Sequence, residues 1–246
     1  MSTTCGHGRE LAVLPATRPL RPEWEQASRR AQVWIPPVTR TVVVVPHPDD
    51  ESLSSGGLIS FQRRRGLPVT VVAVTDGEAA YAGLIPPDCL GRIRRGEQAA
   101  ALANLGIERR DTIRLGMPDG QLADSVDELT TAIADVVHSG DLVIAPWHSD
   151  HHPDHQACAA AAEAVSKRVA VTLLGGLFWA YHHAAPPSRP SRLLRLELDA
   201  DLRDRRSAGI ATHVSQFPGY IGTSILNDDL VSPARRTHEL FVSEPA

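Results

Sequence analysis

The sequence predicts an α/β fold: a single domain with a mostly parallel sheet and helices on both of its faces. Three observations carry that expectation. From Thr41 onward, β-branched runs alternate with segments of helical period, as in successive strand–helix–strand units. Glycines stand where the helical periods stop, and a proline stands where one begins. The chain has 246 residues, enough to bury the core of one large α/β domain.

Taken in order, the predicted strands are 41–45 (TVVVV), 69–75 (VTVVAVT), 112–115 (TIRL) and 141–145 (DLVIA), with further strands at 170–178 and 193–198. Helices fall near 53–65, 92–104 and 125–138, the first two closed by Gly66 and Gly106. A fourth helix opens at Pro153 and runs through DHQACAAAAEAVSKR, and a fifth spans about 200–212. Gly56 and Gly57 lack the spacing of a phosphate cradle, and backbone room for packing near the chemistry is the expected reason for them. Residues 1–40, rich in Pro and Arg, read as an arm with one short helix around Glu23 to Ala31, laid over a domain of residues 41–246 and anchored by Trp24 and Trp34. In the common doubly wound order the first four strands run 3-2-1-4. Strand 41–45 then lies beside strand 141–145, and the crevice past their carboxyl ends is where such sheets bind ligands.

Composition excludes several classes. A formal charge of −4 and the absence of aromatic or basic recognition motifs argue against a nucleic-acid partner. No stretch approaches the roughly 20 apolar residues of a membrane span, and no basic segment followed by an apolar one opens the chain. Cys5, Cys89 and Cys158 are odd in number and show no metal-type spacing, so a disulfide framework is not expected and a cytoplasmic setting is.

The chemistry concentrates in two segments. PHPDDE places His47, Asp49, Asp50 and Glu51 directly after a run of valines, and adjacent carboxylates there are costly unless a cation or protons neutralise them. HSDHHPDH, residues 148–155, follows the neighbouring strand. His47 and Asp50 are three apart, as are His152 and His155, so each segment can turn two groups towards one point. His47, Asp50 and His155 form a set of two imidazoles and a carboxylate suited to one catalytic Zn2+ per chain with a position open for water.

PHPDDE together with HPDH resembles the signature pair of the PIG-L / LmbE-like N-acetylglucosaminyl deacetylase family, zinc hydrolases of Rossmann-like fold. The segments VTDGEAA, RRGEQAAALANLGI and RLGMPDG are similar to family segments too, so the likeness covers residues 40 to 180. The resemblance implies that His47, Asp50 and His155 hold the zinc and that Asp49 is the general base. It further implies that His152 polarises the carbonyl as an imidazolium, with Asp154 as its orienting partner. One departure is Asp150, where some members carry an aromatic residue. His148 and His151 are expected at the surface or behind the ligands.

Asp119, Arg94 and Asp76 are the candidate substrate-binding residues. Asp119 and Asp76, with Glu78, follow strands on the expected ligand side of the sheet, with turn or cap roles as the alternative. The family resemblance implies that Arg94 faces the pocket, with an ordinary Arg94–Glu97 ion pair as its alternative. Trp179 and Tyr181 could form an aromatic wall or complete a core. The expected function is removal of an N-acetyl group from an amino sugar by metal-activated water. An amidase acting on a larger acyl group, a non-haem iron oxygenase and a silent sugar-binding protein are the alternatives.

Overall fold

The valines of the first predicted strand explain how the sheet is built. Val42 and Val44 point to one face and Val43 and Val45 to the other, and all are buried, because helices cover both sides. The computed structural model describes residues 20–221 and 224–245. Among them the strands are β1 (Gln32–Val33), β2 (Thr41–Val45), β3 (Val69–Ala73), β4 (Thr112–Arg114), β5 (Leu142–Pro146), β6 (Thr172–Gly176), β7 (Arg192–Glu197) and β8 (His238–Ser243). The helices are α1 (Pro22–Arg30), α2 (Asp50–Arg64), α3 (Pro87–Asn104), α4 (Val126–Ala134), α5 (Pro153–Ser166), α6 (Ala180–His183), α7 (Ala200–Ala211) and α8 (Asp228–Val231).

The strands form one sheet in the order β1-β7-β8-β6-β5-β2-β3-β4. Strands β4, β3, β2, β5 and β6 run parallel to one another, which includes the expected 3-2-1-4 arrangement. β8 then enters antiparallel between β6 and β7. On one face the core joins Val43, Val45, Leu58, Ile59, Leu102 and Leu202; on the other it joins Val42, Val44, Leu129, Ile133, Ala161 and Val165.

Several boundaries differ from the sequence expectation for physical reasons. α2 starts at Asp50, three residues early, which puts Asp50 and Glu51 in the first turn where the helix N-terminus favours anions. α3 starts at Pro87, since a proline loses nothing at the first helical position. β4 is reduced to three partly exposed residues because it is the edge strand. β1 and β8 were not anticipated: β1 is two residues long, and β8 returns against the parallel run, outside any strand–helix alternation.

Residues 20–40 are built into the same body, while the first 19 residues of the proposed arm, Cys5 among them, lie outside the described residues. Trp24 is fully buried, meets Tyr181 edge to face at 4.9 Å and donates its Nε1–H to Ala184 O. β1 extends the sheet parallel to β7. No helix among the described residues is long and apolar enough to cross a membrane.

α2 owes its glycines to this packing rather than to the chemistry at its start. A Cβ on Gly57 would lie 2.5 Å from the Leu198 side chain and 3.0 Å from the Glu239 carboxyl carbon. Instead the buried ion pair Arg206–Glu239 (3.1 Å) reaches the helix backbone: Glu239 accepts the N–H groups of Gly57 and Leu58, and Arg206 donates to the carbonyls of Ser52 and Leu53. Replacing Arg206 by Leu leaves Glu239 buried without its cation. Urea denaturation should show a loss of about 3–5 kcal/mol; an unchanged midpoint would contradict this role for the pair.

Candidate metal centre

Parallel register brings the two chemical segments together. Thr41, Val42 and Val43 of β2 lie opposite Leu142, Val143 and Ile144 of β5, so both strands end at the same edge and α2 and α5 begin there side by side. Pro46, on the way out of β2, is fixed by Thr75, whose N–H and Oγ1–H both donate to its carbonyl. His152 is the N-cap of α5, and Pro153 follows in its first turn.

At the centre stands Asp50. Its Oδ2 accepts the His47 N–H (2.9 Å) and lies 3.4 Å from His47 Nδ1 and 3.3 Å from His155 Nε2. His155 Nε2 is buried and has no hydrogen-bond partner. Ligands bound tetrahedrally at about 2.0–2.1 Å stand roughly 3.3 Å apart, so these separations and that orphaned nitrogen fit a divalent cation. The far side of each imidazole faces a carboxylate. His47 Nε2–H donates to Asp154 Oδ2 (3.0 Å) with Asp119 Oδ1 at 3.2 Å, and His155 Nδ1 faces Asp150 Oδ2 at 3.4 Å. Such carboxylate–imidazole pairs fix which nitrogen is left to bind a metal.

Two other donor groups cluster here: His47, His152 and His155, and His47, Asp119 and Asp154. In the second, both carboxylates already accept backbone N–H groups, Asp119 from Ala79 and Asp154 from Gly120 and Leu122. In the first, His152 Nδ1 accepts the Asp154 N–H (3.2 Å), so its Nε2 carries the proton. Asp154 therefore supports His47 and the turn before α4. It does not hold the His152 ring through its carboxylate, as the resemblance implied; its position in the first turn of α5 points that carboxylate across to the β2 segment.

Charge in this cluster is balanced by protons. Burial and neighbouring Asp50 push the Asp49 carboxyl up to about 7, against the pull of His213 and Arg94. Burial also opposes charge on Asp50, but the facing His155 and His47 hold its carboxyl far below the usual range. Burial would lower His155, yet Asp50 and Asp150 carry it up to about 9; His47 is raised in the same way by Asp119, Asp154 and Asp50. His152 is lowered, by burial first and then by His47 and His155, which disfavours the imidazolium that the resemblance implied.

Asp49 precedes α2 with φ 137°, a left-handed value held against steric preference at a cost of about 1–3 kcal/mol. It lines a cavity of about 250 Å³ with His47, Asp50, Arg94, Asp119, His152 and Trp179. A larger cleft of about 880 Å³ near Trp147 and Glu244 contains none of these donors. The small cavity is below the common size of about 300–1,000 Å³ for ligand sites, so it suits the reacting end of a ligand.

Of the three candidate substrate residues, the structure brings two to this cavity. Arg94 is buried, donates Nη1–H to Gly77 O, and has Nε and Nη2 without partners. It makes no ordinary pair with Glu97, whose carboxylate accepts the N–H and Oγ–H of Ser215. Asp119 lines the cavity beside His47. Asp76 is not in the lining, because its carboxylate is taken up by Arg95 and Arg114 on the α3 side. Trp179 joins the wall, near-parallel to the His152 ring at 6.5 Å, while Tyr181 lies in the core against Trp24. His148 and His151 are exposed. Sequence reasoning missed Phe178, Gln216 and Ile225, which also line the cavity, and the role of Asp150. The unusual charge at position 150 was the one available signal.

Asp150→Ala should weaken divalent-metal binding by about 10–100-fold in a calorimetric titration, since His155 loses the group that orients it; unchanged affinity would contradict the arrangement. Imidazole binds metal only when neutral, and His155 in the metal-free protein is protonated below about 9. Metal uptake at pH 7 should therefore release protons and weaken as pH falls, measurable as a buffer-dependent binding enthalpy. A proton-free enthalpy at pH 7 would contradict that charge balance.

Known proteins resemble this chain in sequence and in fold. The chain is 33% identical over 160 residues to 1D-myo-inositol 2-acetamido-2-deoxy-alpha-D-glucopyranoside deacetylase of Mycolicibacterium gilvum, covering 53% of this chain and 56% of that protein. It is 34% identical over 129 residues to the probable N-acetyl-alpha-D-glucosaminyl L-malate deacetylase 2 of Bacillus subtilis, covering 49% and 57%. The matched part thus spans little more than half the length of these two relatives. The crystal structure of a conserved protein of Thermus thermophilus superposes with a TM-score of 0.56 at 28% identity, over 72% of this chain and 79% of that one. Residues 42–166, which run from β2 to the end of α5 and include both chemical segments, match the GlcNAc-PI de-N-acetylase profile, and the chain belongs to that family, PIG-L.

Proposed function

We propose that this chain is a zinc-dependent hydrolase that removes the N-acetyl group from an N-acetylated amino sugar. The single observation that carries the reading is Asp50 Oδ2 set between His47 Nδ1 and the orphaned His155 Nε2, with Asp49 beside it in the same cavity. Relatives 33% and 34% identical to this chain are named as an acetamido-sugar deacetylase and a probable N-acetylglucosaminyl L-malate deacetylase. His47, Asp50 and His155 would hold the metal. A zinc ion held there would supply Lewis acidity for activating a water near neutral pH and for stabilising charge on the acyl oxygen.

The chain's own groups supply the rest. Asp49, which lines the cavity beside the donor set, accepts the proton of the attacking water and returns it to the departing amine nitrogen. His152 turns its Nε2–H away from the α5 N-terminus, because Nδ1 is engaged by the Asp154 N–H. It donates to the carbonyl oxygen as negative charge develops, and does so as a neutral imidazole, consistent with its lowered pKa. Arg94 offers two unpartnered N–H groups to acceptors on the ligand, Asp119 accepts from a sugar hydroxyl, and Trp179 packs against the ring.

An acetate-release screen over N-acetylated amino sugars and their glycosides, with and without chelator, tests the reading. Activity should disappear with chelator and return with zinc. Asp49→Asn should lower turnover by about 10²–10⁴-fold while the metal stays bound. Full activity in that variant, or acetate release indifferent to chelator, would overturn the mechanism. Release of a longer acid in the same screen would move the specificity to a larger acyl group.

A further inference from the structure

Glu51 is the third acid of the cluster, and neither the donor set nor the cavity uses it. It is fully buried, where a carboxylate is costly unless its oxygens are satisfied. We infer that Glu51 is a positioning residue that holds the Asp49 main chain in its left-handed conformation and thereby aims the Asp49 carboxylate into the cavity. The inference rests on the reading of Asp49 as the base.

The geometry is specific. A residue that precedes a helix ordinarily has extended backbone and caps the helix with its own side chain. Asp49 does neither: φ is 137°, ψ is −28°, and no side-chain cap bond forms. Its side chain is thereby free to line the cavity. Glu51, two residues on, folds back so that Oε2 accepts the Asp49 N–H (3.3 Å). The same oxygen accepts Gln98 Nε2–H from α3 (2.9 Å). Oε1 accepts Ser52 Oγ–H (3.2 Å) and faces the buried His213 Nε2 at 3.3 Å. On the other side of Asp49, Gln216 Nε2–H donates to the Pro48 carbonyl. The strained residue is thus clamped on both sides by groups from α2, α3 and the turn after α7, an over-determination that strained backbone requires.

Glu51→Ala removes the acceptor, whereas Glu51→Gln keeps a carbonyl oxygen able to take its place. Glu51→Ala should lower kcat about 100-fold with KM and zinc affinity within about threefold, and Glu51→Gln should stay within about tenfold of the parent. In an Asp49→Asn background, Glu51→Ala should add nothing, since its effect passes through Asp49. A crystal structure of Glu51→Ala should show Asp49 relaxed to negative φ. Glu51→Asp, which draws the acceptor back while keeping the charge, is read in the same way if the alanine variant does not fold. Undiminished kcat, an equal further loss in the Asp49→Asn background, or an unchanged φ at Asp49 would overturn the inference. If the parent protein releases no acid from any amino sugar, the functional reading fails, while the φ of Asp49 in the variant still decides the clamp.

Discussion

A single carboxylate oxygen, Asp50 Oδ2, sits between imidazoles that are more than a hundred residues apart in the chain, and the rest of the site is arranged to make that position tolerable. Both imidazoles are turned edge-on to it by carboxylates behind them, Asp154 for His47 and Asp150 for His155. Without a cation this is a crowd of buried acids, kept together by protons on two histidines. With one, those protons would leave and the same side chains would serve as the proposed ligand set.

That position depends on the sheet. β2 and β5 are neighbours only because chain order reverses between them, and their pairing places two loops and two helix starts at one edge. The valines of β2 are buried on both faces of the sheet, which fixes the strand in the middle of the core. Arg206 and Glu239 anchor the N-terminal half of α2 through Ser52, Leu53, Gly57 and Leu58, so the helix that presents Asp50 is fixed by elements from the last fifth of the chain.

Much of this was legible in the sequence because the signals were local. Runs of β-branched residues gave the parallel strands, and the two His/Asp segments that the structure brings together stood out by residue type and spacing. What stayed hidden depends on contacts distant in the chain. β8 enters antiparallel, and nothing in HELFVS announces a partner on either side. Asp76 shares a side of the sheet with Asp119, but Arg95 and Arg114 draw it away, and neither arginine's direction can be read from spacing. The partner of Asp154 was misassigned for the same reason: two residues from His152 in sequence, its carboxylate spans to His47 instead. Glycines at 56 and 57 serve a crossing with Leu198 and Arg206, which pattern alone could not separate from a role near the metal.

The most direct test of this arrangement is anomalous diffraction at the zinc absorption edge from crystals of the zinc-loaded protein. The account predicts one peak within about 2.0–2.2 Å of His47 Nδ1, Asp50 Oδ2 and His155 Nε2. A peak held instead by His47 with Asp119 and Asp154, or no peak at either place, would contradict it.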